Sequence, residues 1–399
     1  MTLELTKVTA QIEEMGRVLA ERWQRHNKVL PAAQALLHLY AHDQEELCRI
    51  AASEPGQRLR CASPWAADAS GSSDEPLDTA LPAPPLPTQA TLIAADGSQI
   101  YPDRHAPVFY YAINIGSIVF RHGSGQAPAA STEPHLYYTD DKVYPGGDPV
   151  SSDLVNVERS VAEMRSLTGL ILAECGSGLP CMGLVDGPLL LWIERAALPS
   201  ERQTELLAAY LACLGRLRAA QGPAVAGLVS RPHSAEVVAL LYLRQMEEDQ
   251  RGQVRSLSET PYRGLTDRAL FRDVLRPGER SALFARGTAA NERYRAEGHR
   301  IWFFYLNTGS EIARIELPEW LAARPEALSL VHAAVIDQCR VNNGYPYILT
   351  RADEQAVIQG QERETLEAML AQAMLRNGLD LPELSRKAQQ KQIARWRRR

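Results

Sequence analysis

The chain has 399 residues, 45% hydrophobic and 23% charged, an ordinary globular profile with room for one large domain with insertions or two smaller ones. No run reaches the roughly 18 consecutive apolar residues of a membrane span, and the acids within MTLELTKVTAQIEEMG argue against a signal peptide. The net charge of -5 argues against indiscriminate nucleic-acid binding, and six cysteines without a C-x-x-C pair read as reduced thiols of a cytoplasmic protein, not as a zinc site or disulfide framework.

Residues 1–52 have helical periodicity through Ile12, Met15, Val18, Leu19 and Trp23, and predict an N-terminal helical arm. Residues 53–90, with DASGSSDEP and LPAPPLP, read as a Pro/Ser/Ala-rich linker or long loop. The character changes at TLIAAD (91–96), a short buried-strand candidate that ends in an acid and a Gly-Ser turn. APVFYYAINIGSIVF (106–120) and HLYYTDDKVY (135–144) are further strand candidates. Asp153–Ala173 is periodic through Leu154, Val157, Val161, Met164, Leu167 and Ile171, and predicts a helix. CMGLVD (181–186) is a second short strand ending in Asp-Gly.

A helix over 201–219, a strand at AVAGLVS (224–230) and a helix over 234–246 follow. The charged region at about 248–298 reads as a mostly non-strand, helical insertion. IWFFYL (301–306) and EIARIEL (311–317) suggest a strand pair, with helices over about 318–340. YPYILT (345–350) reads as a last strand or extended segment, and 352–376 as helix. The end, 377–399, is a basic C-terminal helix; its SRKAQQKQIARWRRR (385–399) contains no acid. That tail suits phosphate neutralisation or, equally, a solvated helix end. Strands first, then alternating helix and strand, predict a mixed α/β sheet flanked by helices, with N- and C-terminal helical extensions.

Asp96 and Asp186 each follow an apolar strand. Carboxylates brought together repel unless a cation neutralises them, and Mg²⁺ or Mn²⁺ prefers oxygen ligands. Two such ions, roughly 3.5–4 Å apart, can drive phosphodiester hydrolysis. The plain alternative is that Asp-Gly is turn chemistry. Glu163 lies on the helix between the two strands, five residues from Glu158 and so on a different face. Asp353 opens a helix, where it could bind a metal or simply cap. Tyr345 precedes Pro346 and is either a phosphate- or water-orienting hydroxyl or a packing group. Arg231 follows a strand and is a candidate phosphate contact or a surface residue. No Walker A motif and no Gly-x-Ser-x-Gly elbow accompanies them.

In order, Asp96-Gly97-Ser98, Arg159 with Glu163, Asp186-Gly187, and Gly344-Tyr345-Pro346 with Ala352-Asp353 resemble the motifs of the NurA family of DNA-end-processing nucleases over about 91–360. The resemblance implies a ribonuclease H-like fold over 91–376 and Mn²⁺- or Mg²⁺-dependent cleavage of DNA, with two ions. It implies Asp96, Glu163 and Asp186 as metal ligands and Tyr345 as an active-site tyrosine; beside these, Asp353 is read as completing the metal shell and Arg231 as contacting the substrate. It also implies a homodimer that works with HerA, a hexameric ATP-driven translocase, in DNA-end resection during double-strand break repair. There are two departures: Asp353 stands where the family has His, and Pro188 where many members have Ser. Two other classes stay open, a catalytically inactive subunit that binds DNA or the ATPase, and a ribonuclease on the same fold.

Overall fold

The computed structural model describes residues 4–66, 75–104, 106, 108–193 and 200–379. Two compact units are built from interleaved segments. The first takes Met1–Leu86, Asp186–Leu190 and Ala224–Pro346; the second takes Pro87–Val185, Leu191–Pro223 and the chain from Tyr347. The basic segment 385–399 lies outside the described residues.

In chain order, α1 (Thr9–Leu39), α2 (Gln44–Ala52) and α3 (Glu54–Leu59) come first. The Ser53 hydroxyl accepts from the Gly56 amide and Pro55 sits in the first turn of α3, both favoured at a helix start. β1 (Ala62–Pro64) and β2 (Leu81–Pro82) follow. The described part of 53–86 is therefore built into the first unit, contrary to a plain linker. Leu77 is fully buried, and Glu75 pairs with Arg280 at 2.6 Å and accepts from the Leu283 amide. Composition hid this because ordered and mobile loops share Pro, Ser and Asp; only tertiary partners separate them.

β3 (Ala90–Ile100) pairs antiparallel with β4 (Tyr111–His122), and β4 with β5 (Ala129–Tyr137). The chain leaves β5 at Tyr137 and turns into α4 (Asp140–Val143), so the strand expected over 135–144 stops early. α5 (Ser152–Glu174) starts where the Ser151 hydroxyl accepts from the Leu154 amide. It buries Leu154, Val157, Val161, Met164, Leu167 and Ile171, the stripe read from the sequence. β6 (Cys181–Asp186) then returns parallel to β3, with Thr91 opposite Cys181 and Ala94 opposite Leu184. Three antiparallel strands, a helix and a fourth strand parallel to the first make the ribonuclease H-like mixed sheet that the resemblance implies.

α6 (Ser200–Ala219) belongs to the second unit. In the first come β7 (Ala224–Val229), α7 (Glu236–Gln245), α8 (Glu248–Arg251), α9 (Asp267–Arg272), β8 (Glu279–Arg280), β9 (Phe284–Arg286), α10 (Ala289–Ala296), β10 (Ile301–Asn307), β11 (Ile312–Pro318), α11 (Glu319–Ala322) and α12 (Pro325–Val341). The strands of this unit run β1-β9-β10-β11-β7, with β8 on β10 and β2 on β8. The region 248–298 packs into this unit: α8, α9 and α10 make most of its regular structure, and β8 and β9 add two short strands to the sheet. Phe271, Phe284 and Tyr294 are fully buried, and β9 joins β1 to β10. Its strands are too short to show a two-residue period.

α13 (Tyr347–Ala356) and α14 (Gly360–Arg376) return to the second unit. The segment 345–350, expected to be extended, is helical from Tyr347. Its aromatic and branched residues mimic a strand, but the buried set Ile348, Leu349, Ala352 and Ala356 has helical spacing. Leu366 and Leu370 of α14 pack on Ile100, Tyr110 and Ala112.

Candidate active site

Asp96 does not end its strand, as the sequence suggested; β3 continues through Gly97 and Ser98 to Ile100. Its partner across the ladder is Gly116 of β4. Side chains alternate along a strand, so Asp96, Ser98 and Gly116 share one side while Gly97 faces the other. A Cβ on Gly116 would stand 2.3 Å from the Ala356 amide nitrogen, so α13 lies against the first side. There the Ser98 hydroxyl donates to the Ala356 carbonyl at 2.5 Å, and Asn114 Nδ2 donates to the same oxygen at 2.8 Å.

On the other side, a Cβ at Gly97 would stand 2.6 Å from Glu163 Oε1 and 2.8 Å from Arg159 Cγ. Gly97 is in the strand for close approach, not for a turn. Its amide donates to Asp96 Oδ1 at 2.7 Å. The Glu163 side chain is only 12% exposed, and its charge is balanced by Arg159, whose Nε lies 3.1 Å from Oε1. Without that partner, a carboxylate so far out of water would cost several kcal/mol, roughly. The three residues of Asp-Gly-Ser thus act differently. Asp96 carries charge, Gly97 admits α5, and Ser98 holds the end of α13.

Glu158, five residues before Glu163, is a different kind of group. It is buried, accepts from the Tyr111 hydroxyl and pairs with Arg202. Burial, and then the Glu158 carboxylate, hold the Tyr111 hydroxyl well above the usual tyrosine range. Asp353 does not open a helix; it lies past the middle of α13, exposed, and the buried residues around it are Ala352 and Ala356. A helix that starts earlier than its apolar pattern suggests moved it out of the capping position.

Three further candidates fall in the first unit. Asp186 ends β6 exposed, followed by Gly187 at φ +113°, whose amide donates to the Leu228 carbonyl at 2.8 Å. Arg231, exposed and at φ +44°, has its Nε 3.0 Å from Glu311 Oε2. Tyr345 is half-buried between Gly344 and Pro346, with its amide donating to the Asn342 carbonyl at 3.1 Å.

Among the described residues, no three His, Cys, Asp or Glu side chains stand together as a ready metal site. The structure brings Glu163 against the strand of Asp96 and does not gather the other acids into a cluster. In kind, though, the donors fit a hard divalent cation, since the four candidate metal ligands, Asp96, Glu163, Asp186 and Asp353, all offer carboxylate oxygens. Sequence reading named Arg159 only as a motif member, with no role in the site, and missed Gln99. The i, i+4 spacing of Arg159 and Glu163 was the available signal; nothing local pointed to Gln99.

Cys175 and Cys181 are joined by a disulfide, contrary to the expectation of six free thiols. The turn between the end of α5 and the start of β6 brings their Cα atoms to 5.7 Å, within bridging range. No helix among the described residues is long and apolar enough to cross a membrane.

No curated protein matches the chain significantly. Among solved structures, the NurA nuclease from Sulfolobus solfataricus aligns over 94% of this chain and 98% of its own, with a TM-score of 0.52 and 11% identity, a likeness of fold. A second NurA crystal structure aligns over 72% of this chain and 90% of its own, at TM-score 0.35 and 11% identity. LC9-RNase H1, a type 1 RNase H, aligns over 40% and 71%, at TM-score 0.21 and 12% identity. The NurA domain family model matches residues 90–358, a span that runs from β3 through α13 and contains Asp96, Glu163, Asp186, Tyr345 and Asp353. This chain belongs to the NurA family.

Proposed function

We propose that this chain is a nuclease that hydrolyses DNA phosphodiester bonds with Mn²⁺ or Mg²⁺, as two ions. Family membership supports a nuclease. The observation that carries the reading is the placement of Glu163, mostly buried, against β3 at the residue after Asp96. A glycine that makes room for a carboxylate is an expensive way to build a plain core, since glycine weakens a strand interior.

In this reading Asp96 and Glu163, which meet β3 from opposite sides, each hold a cation, with Asp186 at the end of β6, the strand beside β3, and Asp353 on α13 completing the set. When bound, such cations supply Lewis acidity for hydrolysis of the phosphodiester. Tyr345 orients the substrate backbone, and Arg231 contacts phosphate once it leaves Glu311. Asp353, in place of the family His, is a weak general base near neutral pH and serves as an oxygen donor. The setting would be the cytoplasm, in DNA-end resection and double-strand break repair, as a homodimer with a HerA-like hexameric ATPase supplying motion.

The test is cleavage of end-labelled single- and double-stranded DNA, with matched RNA, in Mn²⁺, Mg²⁺ and EDTA. Metal-dependent cutting of DNA that disappears in Asp96→Asn, Glu163→Gln and Asp186→Asn is the expected result. Preference for RNA would make it a ribonuclease. One observation favours an inactive binding subunit: Glu163 is already neutralised by Arg159, and no three-acid group is assembled among the described residues. Wild type that binds DNA and never cuts it, with or without the ATPase, would establish that reading instead.

A further inference from the structure

Arg159 and Gln99 have no role in the chemistry above, yet they decide where the Glu163 carboxylate stands. Arg159 is one helical turn before Glu163 on α5. In solvent such a pair is weak and leaves both side chains free to turn. Here the guanidinium is pinned from β3. Its NH1 donates to Gln99 Oε1 at 3.0 Å and to the Gly97 carbonyl at 3.3 Å, while Nε faces Glu163. Gln99 is fixed in turn. Its amide donates to the Tyr101 hydroxyl at 2.8 Å, which donates to Asn156 Oδ1 at 2.6 Å. Asn156 is on α5, three residues before Arg159, so the chain of hydrogen bonds closes on the helix where it began. The NH1 of Arg159, the Gln99 amide and the Tyr101 hydroxyl each have an acceptor, while Nε meets Glu163 Oε1 as an ion pair without a hydrogen bond, so the strand acceptors set the guanidinium plane.

We propose that Arg159, anchored to β3 through Gln99 and the Gly97 carbonyl, is a positioning residue that fixes the Glu163 carboxylate against the strand position next to Asp96. The missing side chain at Gly97 provides the space both groups occupy. The proposal rests on the nuclease reading, with Glu163 as the working carboxylate. Arginine suits this position because one planar fork reaches the carboxylate and both strand acceptors, which a lysine ammonium cannot do with the same geometry.

The test compares wild type with Gln99→Leu, Arg159→Met and Arg159→Lys in the full chain. It measures kcat and KM on end-labelled DNA in Mn²⁺, the salt dependence of DNA binding in EDTA, and the thermal midpoint. A positioning role predicts that Gln99→Leu and Arg159→Met lower kcat by roughly 10- to 100-fold. KM and the metal-free salt slope stay at their wild-type values, and Arg159→Lys recovers part of kcat. Wild-type kcat in both Gln99→Leu and Arg159→Met overturns the proposal. So does a raised KM with a salt slope shallower by about one phosphate, which would make Arg159 a DNA contact. If Arg159→Met shows no folding transition, Gln99→Leu decides on the same criteria. Wild type that cuts no nucleic acid sinks the nuclease reading and this proposal together; wild type that cuts no better than the variants sinks the proposal alone.

Discussion

The Ser98 hydroxyl donates to the carbonyl of Ala356, the last residue of α13, at 2.5 Å, and so ties the strand of Asp96 to the helix of Asp353. The carbonyls of a helix's last turn have no partner within the helix and must find one elsewhere. This one has two, because Asn114 donates to it at 2.8 Å. Ser98→Ala alone is expected to cost about 1 kcal/mol, the usual net worth of one hydrogen bond. Ser98→Ala with Asn114→Ala should cost more than the sum of the single changes, since only the double variant strips the oxygen of both donors. Urea denaturation of the four proteins measures this; strict additivity would show that water replaces either donor freely.

Much of the second unit was legible from residue spacing. The stripe from Leu154 to Ile171 has helical period and lies against the core, and TLIAAD and CMGLVD are apolar runs that became β3 and β6. What misled were residues with two uses. Asp96-Gly97-Ser98 has turn chemistry, yet the glycine is there for α5, and that reason lies more than sixty residues along the chain at Arg159 and Glu163. Tyr345-Pro346-Tyr347-Ile348 has strand composition, yet the helix starts at Tyr347, directly after the proline. The short strands at 62–64 and 284–286 carry no period at all; they are strands because they pair with each other and, for 284–286, with β10. Arg159 was visible as a motif member, but its anchor Gln99 belongs to another element, and no local pattern links the two.

Asp267 gives the first unit a defined response to pH. It is fully buried, with its oxygens taken by the amides of Glu236, Val237 and Val238 at the start of α7 and by the Tyr305 hydroxyl. Burial outweighs those donors and pushes the carboxyl up from its ordinary 3.8 to about 6. Between those values the folded state binds more protons than the unfolded state, so stability falls as pH rises through the window and levels off above it. The size is about 3 kcal/mol. The check is the stability of wild type minus that of Asp267→Asn at pH 4, 5, 6 and 7, in which the other titrations cancel. The difference should fall by about 2 kcal/mol from pH 4 to 7, the rest of the change lying below pH 4; a flat or rising difference would contradict the assignment.

The bridge between Cys175 and Cys181 closes a short loop where α5 hands the chain to β6, the elements of Glu163 and Asp186. A loop this short restricts the unfolded chain modestly, so its removal by Cys175→Ser with Cys181→Ser should cost about 2 kcal/mol. The four free cysteines are Cys48, Cys61, Cys213 and Cys339. Alkylation of the denatured, unreduced protein, read by mass spectrometry, should therefore tag four thiols. Six tags would show the pair reduced, as the sequence suggested, and the double variant would then match wild type in stability.

Two glutamates of α5 should fail in opposite ways. Glu158 accepts from Tyr111 and pairs with Arg202, so its charge holds β4 and α6 to the helix. Glu158→Gln keeps the shape and loses the ion pair, at a cost of roughly 1.5–3 kcal/mol for charged hydrogen bonds. It leaves the Glu163 side of the helix untouched, so the surviving folded protein should cut DNA at the wild-type rate. Glu163→Gln removes the carboxylate at Gly97 and leaves Arg159 bonded to Gln99 and the Gly97 carbonyl, so the fold should lose little. Its cutting should fall by at least about 100-fold if Glu163 holds a cation, because a neutral amide oxygen is a poorer donor to a hard divalent ion. Thermal midpoints and single-turnover cleavage separate the two outcomes. A Glu163→Gln protein that cuts normally, or a folded Glu158→Gln protein that does not, would move the working carboxylate to the other side of α5.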